Sequence, residues 1–383
     1  MVADAQIPIG RVAAAARPRP ELLEVDFDQK PFTVAWELTR SCALACVHCR
    51  ATAQPRRDPG ELTTQEAYRV VDQLTDLAPS VLVLTGGDPF MRPDLFAIAE
   101  YAIRRGLSVS VSPTTTALVT RERLAQLQDL GVQMIHVSLD GASAASHDSF
   151  RGFAGTFDRA RQILGDLADL GFPTQVGTTV TRRNLDDLPL MVPLLATFGI
   201  RMWSLFFLVP TGRARHEDMV DAATAERLWE WMADLVPQVP FSIRTTAAPQ
   251  YRRTLLRRAP RHPSTPQRLT GAGYQITNGP SGVQTRGVND GKGFLFIDHL
   301  GEICPSGFLQ LSAGNVRLDH VGEVYRSSAL FRSLRDPSAL QGRCGRCRYA
   351  DLCGGSRARA YGVSGSCLDE DPLCGLSETE IAL

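Results

Sequence analysis

The chain has 383 residues, 44% of them hydrophobic, so it is long enough to bury a sizeable core and to carry a second, smaller domain. Its 41 basic and 41 acidic residues balance, which removes any global charge argument for nucleic acid or an anionic membrane. No uninterrupted apolar run approaches the ~20 residues that span a bilayer, and residues 1–20 carry arginines but no apolar centre of a secretion signal. A cytoplasmic protein with no membrane or nucleic-acid partner is expected.

Residues 1–30, rich in Ala, Pro and Arg, are expected to be mobile. From residue 31 to 215 strand-like runs alternate with helix-like ones. The strands are expected at 33–38, 81–84, 107–111, 134–139, 174–180 and 202–209, and helices at 95–105, 121–130, 157–170 and 188–196. Thr63-Thr-Gln-Glu66 reads as a capping box, and Ala67, Val70, Val71, Leu74 and Leu77 follow it at helical spacing. This is the pattern of parallel βα units, an α/β fold of six strands. Residues 216–290 are expected to form a helical, loop-rich connection. In it Trp229 and Trp231 sit on an amphipathic helix as core or lid residues, and a proline-rich crossing runs from 257 to 280. Residues 291–383 form a cysteine-rich end. Nine cysteines clustered at the two ends of the chain point to metal ligation rather than disulfides.

Directly after the first strand stands Arg40-Ser-Cys-Ala-Leu-Ala-Cys-Val-His-Cys-Arg50. Cys42, Cys46 and Cys49 supply three thiolates for an iron–sulfur cubane of four irons, which leaves one iron open to a substrate or cofactor. A zinc knuckle closed by His48 or a distant fourth ligand is the alternative. Val81-Leu-Val-Leu-Thr-Gly-Gly-Asp-Pro89 follows at the end of the second strand. Adjacent glycines admit a ligand close to the backbone, and a carboxylate can pair with an ammonium. Both segments fall at carboxyl ends of strands, where parallel βα repeats bind their ligands.

CxxxCxxC after a first strand, with Gly-Gly-Asp-Pro after the second, resembles the signature of the radical S-adenosylmethionine (SAM) enzymes. The resemblance implies a partial (β/α)6 barrel and a SAM-binding [4Fe-4S] cluster on Cys42, Cys46 and Cys49, the catalytic centre. It also implies SAM contacts from Gly86, Gly87, Asp88 and Pro89, with Asp88 in place of the family's usual Glu holding the methionine ammonium. Thr114, in Ser112-Pro-Thr-Thr-Thr116, and Ser138, in Val137-Ser-Leu-Asp-Gly141, occupy positions from which relatives hold the ribose. Arg151, in His147-Asp-Ser-Phe-Arg-Gly152, resembles the arginine that pairs with the SAM carboxylate. The implied chemistry is reductive cleavage of SAM to a 5′-deoxyadenosyl radical that takes a substrate hydrogen, with a flavodoxin- or ferredoxin-type electron donor.

Cys344, Cys347, Cys353 and Cys374 follow the pattern CxxC-x5-C-x20-C. Four thiolates can close a zinc site or a second [4Fe-4S] cluster. The pattern resembles the SPASM extension, which supplies auxiliary clusters. Where the full pattern has a further cysteine four residues beyond Cys353, this chain has Arg357, so one auxiliary cluster is expected, with Cys304 and Cys367 as spare thiols or partial ligands. This reduced set is most like the branch that modifies tetrapyrrole side chains in haem b and haem d1 synthesis. The implied substrate is an iron-porphyrin that loses side-chain atoms by oxidative decarboxylation or elimination, held by Phe206 and Phe207 and by arginines among Arg213, Arg215, Arg357 and Arg359. The alternative substrate is a small ribosomal peptide, for which the short N-terminal segment is expected to lack a leader-binding domain. A non-enzymatic iron–sulfur carrier is the alternative from another class.

Overall fold

The computed structural model of the protein describes residues 25–258, 278–279, 282–283 and 287–382. Its first half is a run of strand–helix units: β1 (Thr33–Glu37), α1 (Thr64–Leu77), β2 (Val81–Thr85), α2 (Leu95–Arg104), β3 (Val109–Val111), α3 (Arg121–Asp129), β4 (Met134–Ser138), α4 (Ala144–Arg151), α5 (Thr156–Asp169), β5 (Thr174–Val180), α6 (Asp187–Ala196) and β6 (Met202–Phe207). Then come α7 (Ala222–Leu235), β7 (Ser242–Thr246), α8 (Gln250–Arg258), a separate ladder of β8 (Asn278–Gly279) and β9 (Gly282–Val283), and β10 (Phe294–Ile297) with β11 (Ile303–Cys304). The carboxyl end adds the short helices α9 (Val321–Ser327), α10 (Ala329–Arg335), α11 (Gly342–Arg346) and α12 (Arg357–Ser364).

The main sheet runs β11-β10-β1-β2-β3-β4-β5-β6-β7, parallel throughout except for the terminal β10–β11 pair. It forms an incomplete α/β barrel. Strand alternation sets its two faces. Val34, Trp36, Leu82, Leu84, Ile135, Val137, Trp203 and Leu205 are buried in the core that the helices cover. The opposite parity carries polar groups towards the carboxyl edge, Glu37, Thr85, Ser138 and Thr179 among them. The register pairs Glu37 with Thr85, so the loops after β1 and β2 leave the sheet at one level. Helix α1 begins as its capping box requires: the Thr63 hydroxyl accepts from the Glu66 N–H and the Glu66 carboxylate accepts from the Thr63 N–H, an arrangement worth about 1 kcal/mol. Its Ala67, Val70, Val71, Leu74 and Leu77 are all buried.

Three expectations change. The connecting region 216–290 contributes a seventh parallel strand, β7, whose Ser-Ile-Arg-Thr-Thr buries only Ile243 on the outer face and so shows no apolar run to read. The cysteine-rich end extends the same sheet, because β10 lies parallel beside β1. Residues 25–30 of the N-terminal segment are anchored rather than mobile: Val25 and Phe27 are buried, and the Phe27 carbonyl accepts from the Tyr325 hydroxyl at 2.7 Å. The rest of that segment and most of the proline-rich crossing lie outside the described residues. Trp229 and Trp231 belong to the core, Trp229 stacked 5.6 Å from Phe207. Among the described residues no helix is long and apolar enough to cross a membrane.

Candidate active site

The loop after β1 is tied down on three sides. Gly87 N–H donates to the Thr39 carbonyl (2.8 Å) and Asp88 N–H to the Ser41 carbonyl (2.7 Å), which joins the β2 end to the start of the loop. Val47 N–H reaches the Phe150 carbonyl on α4, and Arg213 N–H reaches the Cys49 carbonyl from the segment after β6. The two backbones touch so closely at Gly87 that a Cβ there would lie 2.5 Å from the Ser41 carbonyl oxygen. Gly212, at φ +61°, likewise abuts the Cys49 and Arg50 carbonyls, and no side chain fits.

The three thiols each meet one N–H: Leu44 N–H at Cys42 (3.4 Å), Ala53 N–H at Cys49 (3.5 Å) and an Arg151 guanidinium N–H at Cys46 (3.8 Å). Burial pushes the Cys42 thiol up, so it is not an activated nucleophile. A raised thiol can still serve as a ligand, since coordination deprotonates it. All three line a cavity of about 210 Å³ at the carboxyl edge of the sheet, together with Gly86, Gly87, Thr114, Ser138, Arg151 and Phe206. Three thiols face the open space with His48 beside them and no further Cys, Asp or Glu on that wall.

The structure brings together most of the sequence-predicted contact residues and sets two apart. Gly86, Gly87, Thr114, Ser138 and Arg151 line the cavity; Asp88 and Pro89 do not. Asp88 is 0% exposed. Its carboxylate caps the single turn Pro89–Met91 and accepts from Phe90 N–H (3.1 Å), Thr114 N–H (3.4 Å) and the Thr116 hydroxyl (2.8 Å). A side chain one methylene shorter than Glu folds back onto its own turn, as Asp does at helix N-termini. Asp88 therefore holds the loop from behind the cavity wall.

Arg151 is buried against the wall and ion-paired to Asp140, whose other oxygen accepts from Thr179 N–H at 2.7 Å. Burial acts against the charge on Arg151, but Asp140 and the Cys46 thiolate outweigh it and push its pKa up. Arg151 Nε lacks a hydrogen-bond acceptor among the described residues. Sequence reasoning passed over Asp140, although it stands two residues beyond Ser138. It also passed over Arg50. That guanidinium lies on the cavity wall with Nη1 on Glu37 Oε2 (2.9 Å) and its plane 4.7 Å from the Phe296 ring centre. Glu37 is fully buried and faces Arg50, Arg40 (3.3 Å) and His299 (2.9 Å). Burial raises its pKa, but Arg50, His299 and Arg40 together bring it down to about 2. His48 is half-buried, its ring tilted against Phe150 with centres 4.3 Å apart. Burial lowers its pKa to about 3, so it is neutral.

None of the four arginines expected for substrate lines the cavity. Arg213 clamps the cysteine loop through the Cys46 (2.9 Å) and Ala53 (3.2 Å) carbonyls, and Arg215 is exposed beside Glu217. Arg357 and Arg359 are 1% and 0% exposed. Arg359 makes two 2.9 Å bonds to Asp371 and reaches the Phe207 and Leu208 carbonyls at the end of β6. Phe206, Phe207 and, from the carboxyl region, Phe308 do line the cavity.

Cys344, Cys347, Cys353 and Cys374 line a second, smaller cavity of about 20 Å³. Each sulfur accepts from a donor: Arg357 Nη2 on Cys344 (3.6 Å), Tyr349 N–H on Cys347 (3.4 Å), Gly355 N–H on Cys353 (3.4 Å) and Arg253 Nη1 on Cys374 (3.9 Å). No group of three or more His, Cys, Asp or Glu side chains among the described residues closes around a single ion. Zn–S bonds of about 2.3 Å bring four sulfurs within roughly 4 Å of one another. A cubane spreads them further, since each thiolate takes its own iron. Cys304 and Cys367 stand apart from this cavity.

Residues 36–192 match the Radical SAM superfamily. The chain is 40% identical over 343 residues to the AdoMet-dependent heme synthase of Nitratidesulfovibrio vulgaris, covering 89% of this chain and 91% of that one. It is 31% identical over 383 residues to the mycofactocin maturase MftC of Mycobacterium tuberculosis (strain ATCC 25618 / H37Rv), covering 96% and 89%. Streptococcus suis SuiB bound to its precursor peptide SuiA shares the fold at a TM-score of 0.69 and 15% identity, over 91% of this chain and 76% of that one.

Proposed function

We propose that this chain, which belongs to the radical SAM superfamily, removes a propionate carboxyl group from an iron-porphyrin by oxidative decarboxylation. As a radical SAM enzyme it uses SAM and a [4Fe-4S] cluster, which together supply a 5′-deoxyadenosyl radical; Cys42, Cys46 and Cys49 are the proposed ligands. Gly86, Gly87, Thr114 and Ser138 supply backbone and hydroxyl groups to the same cavity, and the unsatisfied Nε of Arg151 is aimed to take the SAM carboxylate. In the proposed reaction one hydrogen atom leaves the propionate β-carbon and completes 5′-deoxyadenosine. The bond from the α-carbon to the carboxylate then breaks, carbon dioxide departs, and a vinyl group remains. The one electron left over passes to an iron–sulfur acceptor. For that acceptor we propose a second [4Fe-4S] cluster on Cys344, Cys347, Cys353 and Cys374, within a unit spanning 291–383; the reductant is proposed to be a flavodoxin or ferredoxin.

The observation that carries the substrate class is Arg50. It places a guanidinium on the cavity wall that Phe206 and Phe308 also line, its Nη1 held by Glu37. A planar donor fork beside Phe206 and Phe308 suits a flat carboxylated ring. Similarity to the heme synthase over nine-tenths of both chains supports the same reading. Anaerobic titration with iron-coproporphyrin is the test. The porphyrin should bind with a shift of its visible spectrum and lose carbon dioxide in step with deoxyadenosine formation. Arg50→Gln should weaken binding by roughly tenfold or more, since a hydrogen bond to a charged group contributes on the order of 1.5–3 kcal/mol. Peptide maturation is the second reading, favoured by the likeness to MftC. It takes over where porphyrin leaves deoxyadenosine yield unchanged and a small peptide raises it.

A further inference from the structure

We propose that Arg357 is a positioning residue that balances the charge of the auxiliary cluster and raises its reduction potential, an inference that rests on the four-thiolate reading above. Three guanidinium groups surround the second cysteine cavity, and two are neutralised by carboxylates. Arg253 pairs with Glu226 while touching Cys374, and Arg343 pairs with Glu370 at 3.2 Å. Arg357 differs. Its Nε donates to the Gly355 carbonyl (3.2 Å), its Nη1 to the Cys367 (3.0 Å) and Asp369 (2.7 Å) carbonyls, and its Nη2 to Cys344 Sγ (3.6 Å). It forms no ion pair among the described residues, and Asp371 nearby is taken by Arg359, Gln250 and Ser356.

A guanidinium 1% exposed and without a carboxylate is costly to bury unless an anion compensates it. The one sulfur in its shell belongs to the four-thiolate set. A cubane held by four thiolates carries net negative charge and gains one more on reduction, so a fixed cation beside it favours the reduced form. Carbonyl acceptors fix three of the guanidinium's bonds, which leaves it no freedom to turn away. The cluster is thereby poised to accept an electron rather than to give one.

The test uses the full chain with Cys42, Cys46 and Cys49 changed to Ala, so that auxiliary iron alone is read by electron paramagnetic resonance during a redox titration. Arg357→Gln should lower the equilibrium constant for reduction by about tenfold, which is 59 mV for a one-electron couple. Arg357→Lys should stay near the parent, and Arg253→Gln should shift less than Arg357→Gln because Glu226 already offsets Arg253. An unchanged potential in Arg357→Gln, or an equal shift in Arg357→Lys, overturns the proposal. Should Arg357→Gln fail to hold iron, the lysine variant decides: iron retained at the parent potential supports the charge requirement, and iron lost from both leaves only a packing role. Zinc in place of iron in the parent overturns the auxiliary cluster itself.

Discussion

The two cysteine sites of this protein are built on opposite plans. The amino-terminal one has three thiols on a loop held by backbone contacts to neighbouring strand ends, and it opens on about 210 Å³ of space walled by hydroxyls, aromatic rings and two arginines. The carboxyl-terminal one has four thiols in a cavity of about 20 Å³, each already meeting a donor, with no room for a substrate. On the proposed assignment the open site would take a ligand into its cluster's coordination sphere, and the closed one would only exchange electrons through its surroundings.

Removing the thiols tests this contrast with the largest expected effect. Protein reconstituted without oxygen should hold about eight irons per chain, four for each cubane. Changing Cys42, Cys46 and Cys49 to Ala should remove about half and abolish SAM cleavage. Changing Cys344, Cys347, Cys353 or Cys374 should remove the other half and leave uncoupled deoxyadenosine formation. Full SAM cleavage in the first set of variants would put the open site elsewhere.

How much of this was legible from the residues follows from the same contrast. The cysteine spacings, the two glycines after β2 and the alternation of strands and helices are local patterns, and they predict the parallel sheet and the two cavities that the cysteines line. For Asp88 the sequence gives a position at a strand end but not whether its carboxylate turns forward to the cavity or back to cap its own turn. Arg357 and Arg359 are named from sequence as candidates to pair with a carboxylated substrate, yet both are buried. Their burial depends on carbonyls and an aspartate brought from residues 207–208, 247 and 367–371, which only the tertiary structure assembles. Arg50 lies next to Cys49 in sequence, yet its role depends on Glu37 and Phe296, and Phe296 sits on a strand 246 positions later, beside β1.

The open site buries Glu37 as an anion to hold Arg50 in place, as the carboxyl region buries Asp371 against Arg359. The pKa of Glu37 is brought from 4.5 to about 2 in the folded chain. A depressed carboxylate contributes its full stabilisation above the unfolded value and loses it as pH falls through the folded one. The expected contribution at neutral pH is on the order of 3 kcal/mol, lost between about pH 4.5 and pH 2. Urea midpoints of the parent and Glu37→Gln should differ clearly at pH 7 and converge through that window. A difference that persists unchanged to pH 2 would mean that packing, not charge, explains the effect of the substitution.

The smallest effect belongs to the two cysteines outside both sites, and it sharpens the boundary of the closed one. Burial, together with Asp298, Glu302 and Glu37, pushes the Cys304 thiol up to about 12, so a thiolate there is strongly disfavoured. Cys367 contributes its backbone carbonyl to Arg357 while its side chain packs beside Leu309, Leu334 and Ala358. A ligand thiolate is expected to line the closed cavity as the four sulfurs do, and neither Cys304 nor Cys367 lines it. Cys304→Ala and Cys367→Ser should therefore keep about eight irons per chain and cost only the small packing change of a buried or half-buried thiol, about 1 kcal/mol as for most single substitutions. Iron content measured against protein concentration decides it. A fall towards six or four in Cys367→Ser would make that cysteine a ligand and would move Arg357, bonded to its carbonyl, into direct contact with the cluster's own loop.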